Sequence, residues 1–188
     1  MRRSTPRIDQ PMGVPMSPAN IFSMQLVLGY VAWLLCFRAY LWPRLKSMDR
    51  VDAQRAIATL HSFRFFGLVF VVPGVVGPHL PVGFAPFAAY LDLATGVLAM
   101  LALLAVRTRP LFWLLVVAFN SVGAADLLLD YYHAVQGDLP GVAGELGAAY
   151  MIPIVYVPLL MITHVAAFYL LVRSSGASSE AGMPLHQR

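Results

Sequence analysis

PLFWLLVVAFNSVGAADLLLDYYH, residues 110–133, is apolar enough to lie in a bilayer, yet it carries Asn120, Asp126, Asp130 and His133. Its first half, Leu111 to Phe119, is unbroken apolar sequence. In the second half, at about 100° per residue, Gly123, Asp126, Asp130 and His133 fall within about 80° of one another, with Asn120 on the flank. An aspartate near the centre of a bilayer is unfavourable by about 2.5–3.5 kcal/mol on insertion scales, so such residues turn inward and find partners. The stretch therefore reads as a transmembrane helix with one polar face directed into a helical bundle.

Composition agrees. The 188-residue chain is 59% hydrophobic and 12% charged, with a mean hydropathy of +0.71, whereas soluble domains are about a quarter charged. The single cysteine, Cys36, lies in an apolar run, which excludes a disulfide framework and a thiolate metal site. The net charge of +4 comes from Lys and Arg residues beside apolar runs, not on one exposed face. It reads as topological, and no nucleic-acid partner is expected.

Four further spans flank the fourth. Residues 1–20 are polar and proline-punctuated, an expected disordered tail. The apolar run over 21–42 is too long for a signal-peptide core of about 7–15 residues and reads as the first span. Asp49 is placed to cap a short helix that can run on into a second span at 61–78, kinked by Pro73-Gly74. The third span, 84–106, carries Ala88, Asp92 and Gly96 four apart, a small-residue face for a close neighbour. The fifth, 146–172, is interrupted by Pro153 and Pro158, and 174–188 reads as a second disordered tail.

The expected fold is thus an all-α integral membrane protein, a five-transmembrane-helix bundle over residues 21–173. Ten basic residues on one side (Arg38, Arg44, Lys46, Arg50, Arg55, Arg64, Arg107, Arg109, Arg173, Arg188) face three on the other (Arg2, Arg3, Arg7). The positive-inside rule then puts the N-terminus outside and the C-terminus in the cytoplasm, in a bacterial inner membrane. The lipid bilayer is the expected partner, together with a further copy of the chain or another membrane subunit.

Depth at about 1.5 Å per residue brings the polar residues into relation. Asp92 and Asp126 share a level in the outer half, with Tyr90 beside Asp92. Asn120 lies near the midplane and His164 inward of it. Asp130 and His133 approach the outer interface, and His61 and Arg64 approach the inner one as part of a basic collar. Two carboxylates at one level with no Lys between them would hold a proton there. Each residue also has a plainer reading: Asp92 as a packing hydrogen bond, Asn120 as interhelical glue, His164 as a satisfied core histidine.

The chemistry remains open at this point. Asp126, Asp130 and His133 place three donors on one face, and His79 would complete a metal set, although HExxH and HxxxH are absent. His61 and His164 occupy the depth a b-type haem needs. No cofactor is named by any motif. The first reading is a proton- or ion-coupled carrier, or small-ligand-binding membrane protein, with an outward-facing polar pocket. The alternatives are a membrane-embedded enzyme on a lipid or isoprenoid-like substrate using Asp92 and Asp126 as acid and base, and a non-catalytic assembly or redox-anchor subunit.

Overall fold

A computed structural model describes residues 16–81 and 83–173, and these are helical with no strand among them. Most of the N-terminal tail, the tail 174–188, and with them Arg2, Arg3, Arg7 and Arg188, lie outside the described residues. Four helical stretches are long and apolar enough to cross a membrane: Pro18–Ser47, Phe84–Arg107, Arg109–Gln136 and Ile152–Val172.

The first of these, α1 (Pro18–Ser47), starts earlier than expected because Ser17 caps it. The Ser17 hydroxyl accepts the Asn20 N–H at 3.2 Å, and Pro18 fills the first turn, where its missing N–H costs nothing. Pro43 does not stop the helix. A widened turn over Phe37–Leu41, closed by the Trp42 N–H on the Phe37 carbonyl, makes room for its ring, and α1 continues to Ser47.

Asp49 then caps α2 (Arg50–His61). Its carboxylate accepts the Asp52 N–H at 2.9 Å, which holds it below the usual carboxylate range. The inward residues of α2 are Ala53, Gln54, Ile57, Ala58 and His61, at α-helical spacing. At His61 the backbone tightens into a 3-10 helix, Ser62–Val71. With three residues per turn, the inward positions now recur every third residue: His61, Arg64, Gly67, Phe70. The expected second span at 61–78 is therefore corrected. The segment begins at Arg50, and Pro73-Gly74 lies in the turn beyond its end, with Gly74 at φ +79°. Twelve α-helical and ten 3-10 residues reach about 38 Å, enough for a hydrocarbon core of about 30 Å.

The remaining α-helices are α3 (Phe84–Leu104), α4 (Arg109–Gln136) and α5 (Val157–Arg173), with a 3-10 helix, Ala143–Tyr150, before the last. Two apolar clusters mark opposite ends of the bundle. One gathers Phe22, Phe70, Phe84, Leu139, Leu146 and Ile154. The other gathers Leu45, Ile57, Ala102, Phe112, Val116 and Ala167. Five segments run between the Phe22 end and the Leu45 end, and the second is the one joining Ile57 to Phe70. It lies along the small-residue face of α3: a Cβ at Gly96 would sit 3.2 Å from the Phe65 nitrogen and 3.5 Å from the Ser62 carbonyl oxygen.

Prolines in the last segment create the attachment for α1. Pro158 has no N–H to offer the Ile154 carbonyl, and Gly29 of α1 packs directly against that oxygen. Trp33 Nε1 donates to the neighbouring Val155 carbonyl at 2.8 Å. At the Phe22 end the turn after the second segment is clasped to the 3-10 helix Ala143–Tyr150. The Gly77 N–H meets the Glu145 carbonyl at 2.6 Å, and the Glu145 carboxylate receives the His79 N–H at 3.1 Å and pairs with His79 Nδ1 at 3.2 Å. Those contacts, the backbone one first, hold the Glu145 carboxyl below its usual range.

Candidate functional site: a buried arginine paired with two carboxylates

Arg64 is the largest fully buried side chain in the bundle. Its planar fork is used on three sides. Nε donates to Asp92 Oδ1 of α3 at 2.6 Å, Nη2 to Asp126 Oδ2 of α4, and Nη1 to the Gly123 carbonyl at 3.1 Å. One guanidinium thus ties the second segment to α3 and α4 with charge-assisted bonds, which a lysine ammonium would not match in geometry. Two glycines clear the space. A side chain at Gly67 would strike the Asp92 carboxylate, and a Cβ at Gly123 would lie 2.6 Å from Arg64 Nη1 and 2.7 Å from His164 Nε2.

Buried hydrogen bonds and a ring stack extend from the arginine towards the Leu45 end. Asn120 Nδ2 donates to the Val116 carbonyl at 2.9 Å, so its Oδ1 is the acceptor facing His164 Nδ1 at 2.9 Å. His164 therefore carries its hydrogen on Nδ1 and offers the Nε2 lone pair to Arg64 Nη1, 3.4 Å away. His61 stacks on His164 with ring centroids 4.0 Å apart. The Thr163 hydroxyl donates back to the carbonyls of its own helix, so it accepts from His61 Nε2 at 3.0 Å. One turn further, Gln54 Nε2 donates to the Ala167 carbonyl at 3.0 Å.

On the other side of Arg64, towards the Phe22 end, lies a cavity of about 100 Å³. Phe22, Phe70, Phe84, Tyr131 and Leu139 are among its walls, and Asp92 and Asp130 are its acidic residues. This corrects the expectation of a polar pocket. The polar groups form a packed core, and the cavity above them is mainly aromatic and aliphatic with carboxylates at its base. Asp126 Oδ1 and Asp130 Oδ1 are both buried with no hydrogen-bond partner among the described residues. The two residues stand one helical turn apart on α4.

The structure thus brings Asp92, Asn120, Asp126, His61, Arg64 and His164 into one hydrogen-bonded or stacked set, with Asp130 at its edge. Arg64 and His61 leave the expected basic collar, because the second segment begins a full helix earlier and so carries both to mid-depth. Tyr90 does not join them; it is 60% exposed on the outer face of α3. His133 packs edge-on against Phe87 at 4.8 Å, and His79 is drawn to Glu145 of the 3-10 helix Ala143–Tyr150. The four metal candidates Asp126, Asp130, His133 and His79 therefore do not converge. No cluster of three or more His, Cys, Asp or Glu suited to a metal occurs among the described residues. His61 and His164 do not fit a shared haem either: their rings already touch, and both nitrogens of His164 are engaged.

The family model described as Domain of unknown function (DUF8737) matches residues 21–172. The chain belongs to this family. No curated protein and no solved structure matches it. The match takes in Arg64 and every residue that contacts it, so the buried ion-pair core lies inside the DUF8737 domain.

Proposed function

We propose that this DUF8737 protein is a proton- or small-cation-binding membrane protein of the coupled-carrier type. In this reading residues 21–173 cross a bacterial inner membrane five times. The N-terminus is outside, the C-terminus is in the cytoplasm, and the Phe22-end cavity faces outward. Removing Arg64 from the basic count leaves the orientation unchanged, because Arg38, Arg44, Lys46, Arg50, Arg55, Arg107 and Arg109 all still flank the Leu45 end.

One observation carries the reading: a buried guanidinium is paired with two carboxylates, and a third, Asp130, lines the adjoining cavity. If all three are ionised, two negative charges remain in a medium where an uncompensated charge is costly. Protons on the carboxylates, or a cation entering from the cavity, would meet that charge. Asp130 is the first acceptor on such a path, Asp126 the second, and Arg64 the fixed counter-ion. An acid–base pair for a bulky lipid substrate is less well supported. Asp92 and Asp126 are both clamped by Arg64, and Asp126 is only 1% exposed.

Infrared difference spectroscopy on the protein in liposomes tests this directly. A protonated-carboxyl band should titrate with pH and disappear in Asp126→Asn or Asp130→Asn. Absence of any such band at every pH, with no cation-induced change in the carboxylate bands, would overturn the proposal.

A further inference from the structure

The hydrogen bonds that fix α1 to the rest of the bundle lie towards the Phe22 end. Gln25 accepts from the Tyr150 hydroxyl at 2.6 Å, Tyr30 meets Tyr131 of α4 at 2.8 Å, and Trp33 reaches the Val155 carbonyl of the last segment. Between Trp33 and Trp42 the helices part, and they meet again where the Trp42 ring packs edge-on against Tyr169 at 5.3 Å. An apolar groove of about 820 Å³ opens between them, lined by Val31, Leu34 and Leu35 of α1 and by Met161, Ile162 and Val165. Leu35 and Val165 are 65% and 67% exposed.

The length and charge of the groove identify its occupant. From Tyr30 to Trp42 it extends about 18 Å at 1.5 Å per residue, a little over half of a hydrocarbon core of about 30 Å. It is therefore one leaflet deep. Arg38 lines the mouth, with Trp42 and then Lys46 on the following turns, Lys46 Nζ standing 5.8 Å over the Trp42 ring. The groove has no acidic residue in its lining, and neither Arg38 nor Lys46 has a carboxylate partner among the described residues.

We infer that this groove holds an acyl chain of an anionic phospholipid from the leaflet at the Leu45 end, with the lipid phosphate at Arg38 and Lys46. Apolar walls one leaflet long take the chain, and the two unpaired cations select a negative headgroup over a zwitterionic one. The site is separate from the Arg64 core, so its test is independent of the proposed proton binding.

Native mass spectrometry of the detergent-extracted protein, supplied with phosphatidylglycerol or phosphatidylcholine, tests the inference. Phosphatidylglycerol should be retained in preference. Arg38→Gln and Lys46→Gln should each weaken retention about fivefold, from about 1 kcal/mol per basic residue near a membrane surface. Val165→Trp, at an exposed position, should block the groove and reduce retention while leaving the melting temperature unchanged. Equal retention of the two lipids, or retention unaffected by all three substitutions, would overturn it. A dimer that persists without lipid and is broken by Val165→Trp would assign the groove to a second copy instead.

Discussion

The first and second segments differ in almost every property that hydropathy measures. α1 is a thirty-residue apolar helix, and in its regular part, Pro18–Cys36, only Phe22 is buried. The second segment is half α-helix and half 3-10 helix, begins with charged residues, and buries His61, Arg64, Gly67 and Phe70 in a row. A helix facing lipid must be apolar around its circumference, whereas a segment enclosed by others can carry charge if partners surround it. The exposed helix α1 is apolar around its circumference, and the enclosed second segment holds the buried arginine.

The sharpest way to break that contrast is Arg64→Leu. It leaves Asp92 and Asp126 facing one another without a counter-ion, a change expected to destabilise by about 3–5 kcal/mol. Thermal unfolding in detergent should show a large fall in midpoint. Adding Asp92→Asn and Asp126→Asn should recover most of the fall, because the two carboxylates that Arg64 compensates are then neutral. A melting curve for Arg64→Leu indistinguishable from the parent would remove the second segment from the centre of the fold.

Gly123→Ala attacks the same core without touching a charge. The added methyl would have to displace Arg64 Nη1, His164 Nε2 and the Thr95 methyl, all within 2.7 Å of the new Cβ. Overpacking of this kind is expected to cost about 1–3 kcal/mol, read again as a fall in melting midpoint. A variant as stable as the parent would mean that the arginine fork is loosely held.

The carboxylates were legible in the sequence because each sits on a regular α-helix at predictable depth. The face shared by Ala88, Asp92 and Gly96 correctly marked a close neighbour, although it did not say which one. Arg64 was misplaced for a physical reason. The apolar run after His61 suggested a span starting there, which put the arginine one turn from the interface. The 3-10 helix was also invisible to a 3.6-residue template. Its signal was present in the spacing of His61, Arg64, Gly67 and Phe70 by three, and in Phe63, Phe65 and Phe66, which surround the arginine and turn outward at 46%, 37% and 53% exposure. Phenylalanines facing lipid on both sides of an arginine leave it only the interior. Tyr90 was misjudged by depth alone: it shares a level with Asp92 but lies two residues away, on the opposite side of the helix.

On α1 the expected effects are much smaller. Val27 and Leu28 are 60% and 57% exposed, so Val27→Ala and Leu28→Ala should each change stability by no more than about 0.5 kcal/mol. Melting midpoints within error of the parent would sharpen the contrast between the two segments. A loss comparable to that of Gly123→Ala would show that α1 buries this face against something outside the single chain.

The smallest effect belongs to the clasp that joins the turn after the second segment to the 3-10 helix Ala143–Tyr150. The His79 side chain is 77% exposed, so solvent and salt screen the pair. Its pH dependence nevertheless has a definite sign. The Glu145 carboxyl is held below its ordinary value of 4.5 by the His79 backbone N–H and ring. Folding therefore favours the ionised form: the clasp's contribution is complete above that value and is lost as pH falls through the lower folded-state value. Glu145→Gln should accordingly melt slightly below the parent at neutral pH, and the difference should shrink towards zero in acid. The Gly77 to Glu145 backbone bond survives the substitution, which keeps the change small. A difference that grows on acidification would mean that the carboxylate is strained by the clasp instead of stabilising it, and that the second segment is held at this end by its backbone alone.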